Sequence, residues 1–204
     1  MLHCNEDFTL KNKNYKVEIS FTNLYRLRGE DSTLYDEVFD PDNIEACVPP
    51  PVCDVLSNTI TSQQQTRRIA LVAGVYKLFG HIAVLQNNVL TILTENTAVQ
   101  FDLQTGQILH SRYLNAYDCF NIYSTKYGLI IHSENDILML DHELNELWRF
   151  HNGNTFLNSE HNDEFTIEKG HKNVRFYDMS GNFYRLVLFT GQLIDYSHPD
   201  PDSR

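Results

Sequence analysis

One short pattern returns along this chain and limits what it can fold into. Phe101-Asp102-Leu103-Gln104-Thr105-Gly106-Gln107-Ile108-Leu109 runs apolar, turn, apolar, and Leu140-Asp141-His142-Glu143-Leu144-Asn145-Glu146-Leu147-Trp148 repeats that layout 39 residues later. Asp102 matches Asp141, Gly106 matches Asn145, and Ile108-Leu109 match Leu147-Trp148. A third copy, Leu188-Phe189-Thr190-Gly191-Gln192-Leu193-Ile194, repeats Thr105-Gly106-Gln107, with Val187 where the aspartate stands in the others. Such a unit cannot bury its hydrophobic face alone and must stack on its neighbours.

The pattern is that of a β-hairpin. Gly or Asn in the turn takes a positive φ at little cost, and an Asp before it bonds amides ahead of it. Each copy closes a group of short apolar runs separated by turn residues. These predict strands over 81–86, 89–94, 97–102 and 107–113, then 119–124, 128–133, 136–141 and 146–150, then 165–168, 174–177, 183–188 and 192–196. Asn87-Asn88, Asn96, Lys126-Tyr127-Gly128, Glu134-Asn135, Gly170 and Ser180-Gly181 sit between them. Four strands per roughly 40 residues is the period of a propeller blade.

The repeats resemble the blades of β-propellers of the quinoprotein and WD40 kind, with Asp102-Leu103-Gln104-Thr105-Gly106-Gln107-Ile108-Leu109 similar to the quinoprotein-type turn. The resemblance implies an all-β fold with three four-stranded blades, at about 81–114, 119–151 and 164–196, before a short tail, 197–204. It implies no function by itself. Quinoprotein enzymes carry a tryptophan in most repeats, whereas Trp148 stands alone here, so no redox cofactor is expected.

The first 80 residues read differently. Residues 14–27 alternate apolar and polar and predict one long strand or a hairpin; 68–79 predict one or two more. These strands supply a fourth blade, a fifth, or an incomplete ring. Between them, 29–66 reads as one long irregular segment packed on the same domain. It holds no Lys or Arg, but Glu30, Asp31, Asp36, Glu37, Asp40, Asp42, Glu45 and Asp54, interleaved with Leu34, Tyr35, Val38, Phe39 and Ile44. Either it is a solvated loop, or it is an acidic contact surface with aromatic anchors. The contact reading selects Glu30, Asp31, Tyr35, Asp36, Glu37, Phe39, Asp40, Asp42 and Glu45.

Chemistry is excluded more readily than assigned. With a net charge of −11, the chain is a poor match for nucleic acid and a good one for a basic protein. No stretch is long and apolar enough to span a membrane. The start, Met1-Leu2-His3-Cys4, lacks a signal-peptide pattern, so a cytoplasmic location with Cys4, Cys47, Cys53 and Cys119 reduced is expected. Cys47 and Cys53 flank a Pro-rich turn without zinc-site spacing, and the acidic run lacks calcium-loop spacing. The nine histidines show no His-x-x-x-His or His-x-His pair, and no nucleophile elbow or phosphate loop occurs. No metal, cofactor or catalytic residue is expected.

A small, acidic, enzymatically silent chain is similar in overall character to bacterial immunity proteins of contact-dependent growth inhibition systems. That resemblance implies occlusion of the cationic active site of a basic toxin, such as an RNase. The alternatives are a ligand-binding or hydrolytic propeller enzyme, marked by convergent His and carboxylates, and a scaffold subunit of a larger complex.

Overall fold

The computed structural model describes residues 8–26, 33–40, 52–63, 65–72, 81–116, 118–156 and 165–198, with side chains left out at 22–26 and 52–54. Seventeen strands and no α-helix occur among them. They form one five-stranded and three four-stranded sheets, in two compact units, Met1–Tyr113 and Leu114–Arg204.

The N-terminal unit begins with β1 (Phe8–Lys11), β2 (Tyr15–Arg26), β3 (Glu37–Phe39), β4 (Val52–Ser62) and β5 (Thr66–Val72). Their sheet order is β1-β2-β4-β5-β3. Four of them meander antiparallel, and β3 is added at the edge, parallel to β5. Alternation builds this sheet: Val17 and Ile19 are fully buried, whereas Lys16 and Glu18 face solvent and pair. The same unit holds the first blade, β6 (Ala83–Gln86), β7 (Val89–Leu93), β8 (Thr97–Asp102) and β9 (Ile108–Tyr113). One core joins blade and sheet, with Ile19, Leu56, Ile60 and Leu71 packed among Leu90, Ile92, Val99 and Phe101.

The C-terminal unit holds two blades. One is β10 (Cys119–Thr125), β11 (Gly128–Ser133), β12 (Asp136–Leu140) and β13 (Glu146–His151); the other is β14 (Phe165–Ile167), β15 (Asn173–Tyr177), β16 (Phe183–Val187) and β17 (Leu193–Ser197). Both are antiparallel meanders. Ile130, Ile137 and Met139 pack with Val174, Phe176 and Leu186 in a shared core.

Every strand expected within the three repeats is present, with bounds shifted by at most two residues. The turn aspartates also bond ahead as expected. Asp102 Oδ1 accepts the Gln104 amide at 2.8 Å, and Asp141 Oδ1 accepts those of Glu143 and Asn145 at 2.8 and 2.7 Å. The Thr-Gly-Gln copies agree in detail, since the amides of Gln107 and Gln192 each reach the preceding threonine hydroxyl at 3.3 Å.

Two expectations need correction. Asn145 is not the left-handed residue of the second turn; Leu144 is, at φ 65. This turn is one residue shorter: Leu140 pairs with Glu146, whereas Phe101 pairs with Ile108. Leu144 is buried, so its apolar contacts offset the strain of a β-carbon at positive φ. The other correction concerns 29–66. It contains β3 and the eleven-residue β4 rather than a continuous loop. The polar Ser57, Asn58 and Thr59 belong to β4 because β2 and β5 pair with it on both sides. The buried Asn58 amide donates to the carbonyls of Leu56 and Ile69.

Candidate interaction surface

Of the residues expected to contact a partner, Glu30, Asp31, Asp42 and Glu45 lie outside the described residues. Tyr35, Asp36, Glu37, Phe39 and Asp40 surround the edge strand β3. Parallel pairing holds β3, with Glu37 opposite Ile69 and Phe39 opposite Leu71. Ahead of it, Asp36 is tied twice to Arg68: its amide donates to the Arg68 carbonyl, and its Oδ2 accepts the Arg68 amide, both at 2.8 Å.

The two aromatic side chains are turned toward the unit they belong to. Phe39 packs on the core, its ring centroid 5.3 Å from that of Phe101. Tyr35 packs with Val38 against Val55, Ala70 and Val72. The apolar side chain that stands out is Leu34, 57% exposed. Asp36 is exposed, and Glu37 and Asp40 are half-buried.

The run lacks cations in sequence but not in space, because β5 brings Arg67 and Arg68 beside it. Arg67 Nη1 donates to the Thr105 carbonyl at 2.5 Å. A β-carbon at Gly106, which holds φ 80, would collide with that guanidinium and stand 3.2 Å from Glu37 Oε1. The blade turn, Arg67 and Glu37 are thus packed together. The edge is acidic but partly compensated.

Other places could carry chemistry. A recess of about 250 Å³ on the N-terminal unit is lined by Tyr15, Ser62, Gln63, Gln65, Gln104 and neighbours. Among the described residues, its lining contains amides and hydroxyls but no histidine or carboxylate. Asp178 sits in a polar node, where Oδ1 accepts the amides of Ser180 and Asn182 and Oδ2 accepts from Asn154, Asn182 and Tyr184. Burial pushes the Asp178 carboxyl up, but Asn182, Tyr184 and Ser180 together hold it below its usual range. Burial and then the Asp178 bond push Tyr184 up to about 12. The node closes the turn between β15 and β16.

His132 is buried between rings, 4.9 Å from Phe165 and 5.7 Å from Phe120. Neither ring nitrogen has a partner at hydrogen-bond geometry. Burial lowers its pKa to about 4, against a smaller upward pull from the Phe156 backbone. Cys119 is a buried thiol. Among the described residues, no group of three or more His, Cys, Asp or Glu could hold a metal ion, and no helix is long and apolar enough to cross a membrane.

Three four-stranded antiparallel meanders, each closed by a hairpin, define the chain as an all-β protein of propeller-like blades. No family model matches the sequence, and no curated protein matches it. Among solved structures, the chain is similar to BamB from Moraxella catarrhalis, with TM-score 0.47 and 13% identity over 72% of this chain and 47% of that one. The β-propeller domain of Swd1 from Myceliophteria thermophila gives TM-score 0.49 and 9% identity, over 72% and 55% of the two chains. The WD40 domain of Pan2 from Neurospora crassa gives TM-score 0.44 and 11% identity, over 59% and 36%. The chain spans roughly half the length of the first two.

Proposed function

We propose that the protein is a non-enzymatic binding module for another protein, and that the edge from Leu34 to Asp40 is its contact surface for a basic partner. One observation carries this reading. Tyr35 and Phe39 anchor the edge from behind while Leu34 and Asp36 are exposed and Glu37 and Asp40 are half-buried. An apolar side chain among carboxylates on an anchored strand loses little freedom on binding. In its most specific form, the partner is a basic nuclease toxin whose cationic cleft the edge occludes, and the protein acts in the cytoplasm as its immunity protein. The acidic net charge supports this form by speeding encounter with a cationic surface.

The test is co-purification with the product of an adjacent toxin-like gene, followed by calorimetry with Glu37→Gln, Asp40→Asn and Leu34→Ala. Weaker binding and a smaller salt dependence in the charge variants are expected. Unchanged affinity in all three variants would sink the edge as the contact surface.

A scaffold role is favoured by a different observation, the exposed apolar residues of the outer strands: Leu109 and Tyr113 on β9, Leu147 on β13, and Ile194 and Tyr196 on β17. A partner retained by the edge variants but lost on Leu147→Ser and Ile194→Ser would select it.

A further inference from the structure

The last blade has two unlike faces. Val174, Phe176, Tyr184 and Leu186 face the core of the C-terminal unit. The opposite face carries Arg175 and Tyr177 on β15 and Phe183, Arg185 and Val187 on β16, all exposed or half-buried. The register places Thr166, Arg175, Arg185 and Asp195 in one row across its four strands. Tyr177 and Phe183 are paired in the next row, with ring centroids 5.3 Å apart.

This row is unlike a surface made to receive another blade. Where the two C-terminal blades meet, the facing residues are mostly Ile, Met, Val, Phe and Leu, with Tyr184 and the uncharged His132 among them. Here, Arg175 and Arg185 are direct cross-strand partners, an arrangement that costs stability unless anions relieve it, and Asp195 is the partner of Arg185 on its other side. The relief from the chain itself is partial. Arg185 Nη2 donates to Glu168 Oε2 at 2.8 Å, while its Nε is buried without a partner. Glu168 also accepts from Asn173. The bond from Arg185 is the main reason that its carboxyl is held below the usual range, and Arg175 adds a smaller long-range pull. Arg175 is exposed and makes no hydrogen bond or ion pair among the described residues. The turn entering β15 adds Lys169 and Lys172, both exposed. In a chain of net charge −11, the described part of this blade holds Lys169, Lys172, Arg175 and Arg185 against Glu168, Asp195 and the interior Asp178.

We propose that this face binds an acidic peptide segment of a partner protein, with its carboxylates on the Arg175–Arg185 pair and an apolar or aromatic side chain on the Tyr177–Phe183 pair. Arginine forks match carboxylates in two-point contact. Adjacent rows on one sheet face lie roughly 7 Å apart, the same spacing as alternate side chains of an extended peptide. The segment that fits therefore reads acidic, any residue, apolar. Nucleic acid fits less well, since a phosphate backbone needs a longer cationic track and meets a chain of opposite preference. The site lies on the C-terminal unit and is independent of the Leu34–Asp40 edge.

Fluorescence anisotropy with a fluorescein-labelled synthetic peptide alternating Glu and Tyr with Ser tests this on the full chain. A peptide with Lys in place of Glu and a single-stranded oligothymidylate serve as comparators. Arg175→Gln, at an exposed site, is expected to weaken the Glu peptide about tenfold, equivalent to about 1.4 kcal/mol. Arg175→Lys should weaken it less, because the charge stays and the fork is lost. Tyr177→Ala should weaken it severalfold with an unchanged salt dependence. The proposal is overturned if the wild-type chain does not bind the Glu peptide, if Arg175→Gln binds as wild type does, or if the oligothymidylate binds more tightly. Self-association that Arg175→Gln abolishes, without peptide uptake by the wild type, would make the face a contact between copies and also overturn it. Circular dichroism of each variant checks that the fold is kept.

Discussion

The indole of Trp148 lies against Gly191: a β-carbon there would stand 2.6 Å from Trp148 Cδ2, and Trp148 Nε1 donates to the Leu188 carbonyl at 3.0 Å. The chain's one tryptophan, on the outer strand of one blade, thus closes over the hairpin turn of the next. Gly191 also holds φ 68, so Gly191→Ala adds backbone strain to a collision with a ring. The expected loss is about 2 kcal/mol or more, read as a lower urea midpoint with unchanged slope. Gly153, at φ 77 with nothing within 4 Å, isolates the backbone part, and Gly153→Ala should cost only about 1 kcal/mol. Equal losses at the two sites would remove the ring from the explanation.

Arg149 ties β13 to the segment leading into its blade. Its guanidinium donates to the Leu114 carbonyl at 2.6 Å, the Asn115 carbonyl at 3.1 Å, Asp136 Oδ2 at 3.1 Å and Glu146 Oε2 at 2.8 Å. The Asp136 side chain is 8% exposed, so Arg149→Ala leaves a nearly buried carboxylate with, among the described residues, His151 as its possible counter-charge. A loss of about 3 kcal/mol is expected. Asp136→Asn in the Arg149→Ala background should recover part of it. A double-mutant cycle with no coupling between the two positions would contradict the arrangement.

Acid should act on the C-terminal unit through His132. In the folded chain its pKa is about 4, against 6.5 for a free side chain. A base with a depressed pKa stabilises the fold fully above the unfolded value; this contribution fades as pH falls from about 6.5 to about 4 and is constant below. It amounts to about 3 kcal/mol. Urea melts of wild type and His132→Phe across that window give the contribution as their difference. Parallel stability curves for the two proteins would show that His132 titrates alike folded and unfolded.

Phe39 and Leu34 should separate stability from binding. Phe39→Ala removes a ring packed on Phe101 and is expected to cost about 2–3 kcal/mol. Leu34→Ala, at an exposed site, should leave the urea midpoint unchanged within about 0.5 kcal/mol while weakening the partner of the proposed edge. A stability loss at Leu34 equal to that at Phe39 would place both in the core.

Much of the fold was legible because its information is local. In the repeats, the turn residues and the alternation between them lie within a few positions of each other, and the Asp102 and Asp141 carboxylates bond within their own turns. β4 was not legible, since Asn58 and Thr59 count as strand residues only once β2 and β5 flank them. The acidic edge was legible in charge and not in direction. Tyr35 and Phe39 look like anchors for a partner beside so many acids, but an edge strand three residues long needs them to hold its own sheet. The cations that temper the acidic run, Arg67 and Arg68, lie outside it in sequence and arrive by pairing.

The repeated turn and the period between its copies determined the blades, because hairpin geometry depends on residues that are neighbours in the chain. Tertiary structure alone decided which face of the last blade is covered. Alternation sends Phe176 and Arg175 to opposite sides of one strand, but only packing against Ile130, Ile137 and Met139 makes the first side a core and leaves the arginine pair facing outward.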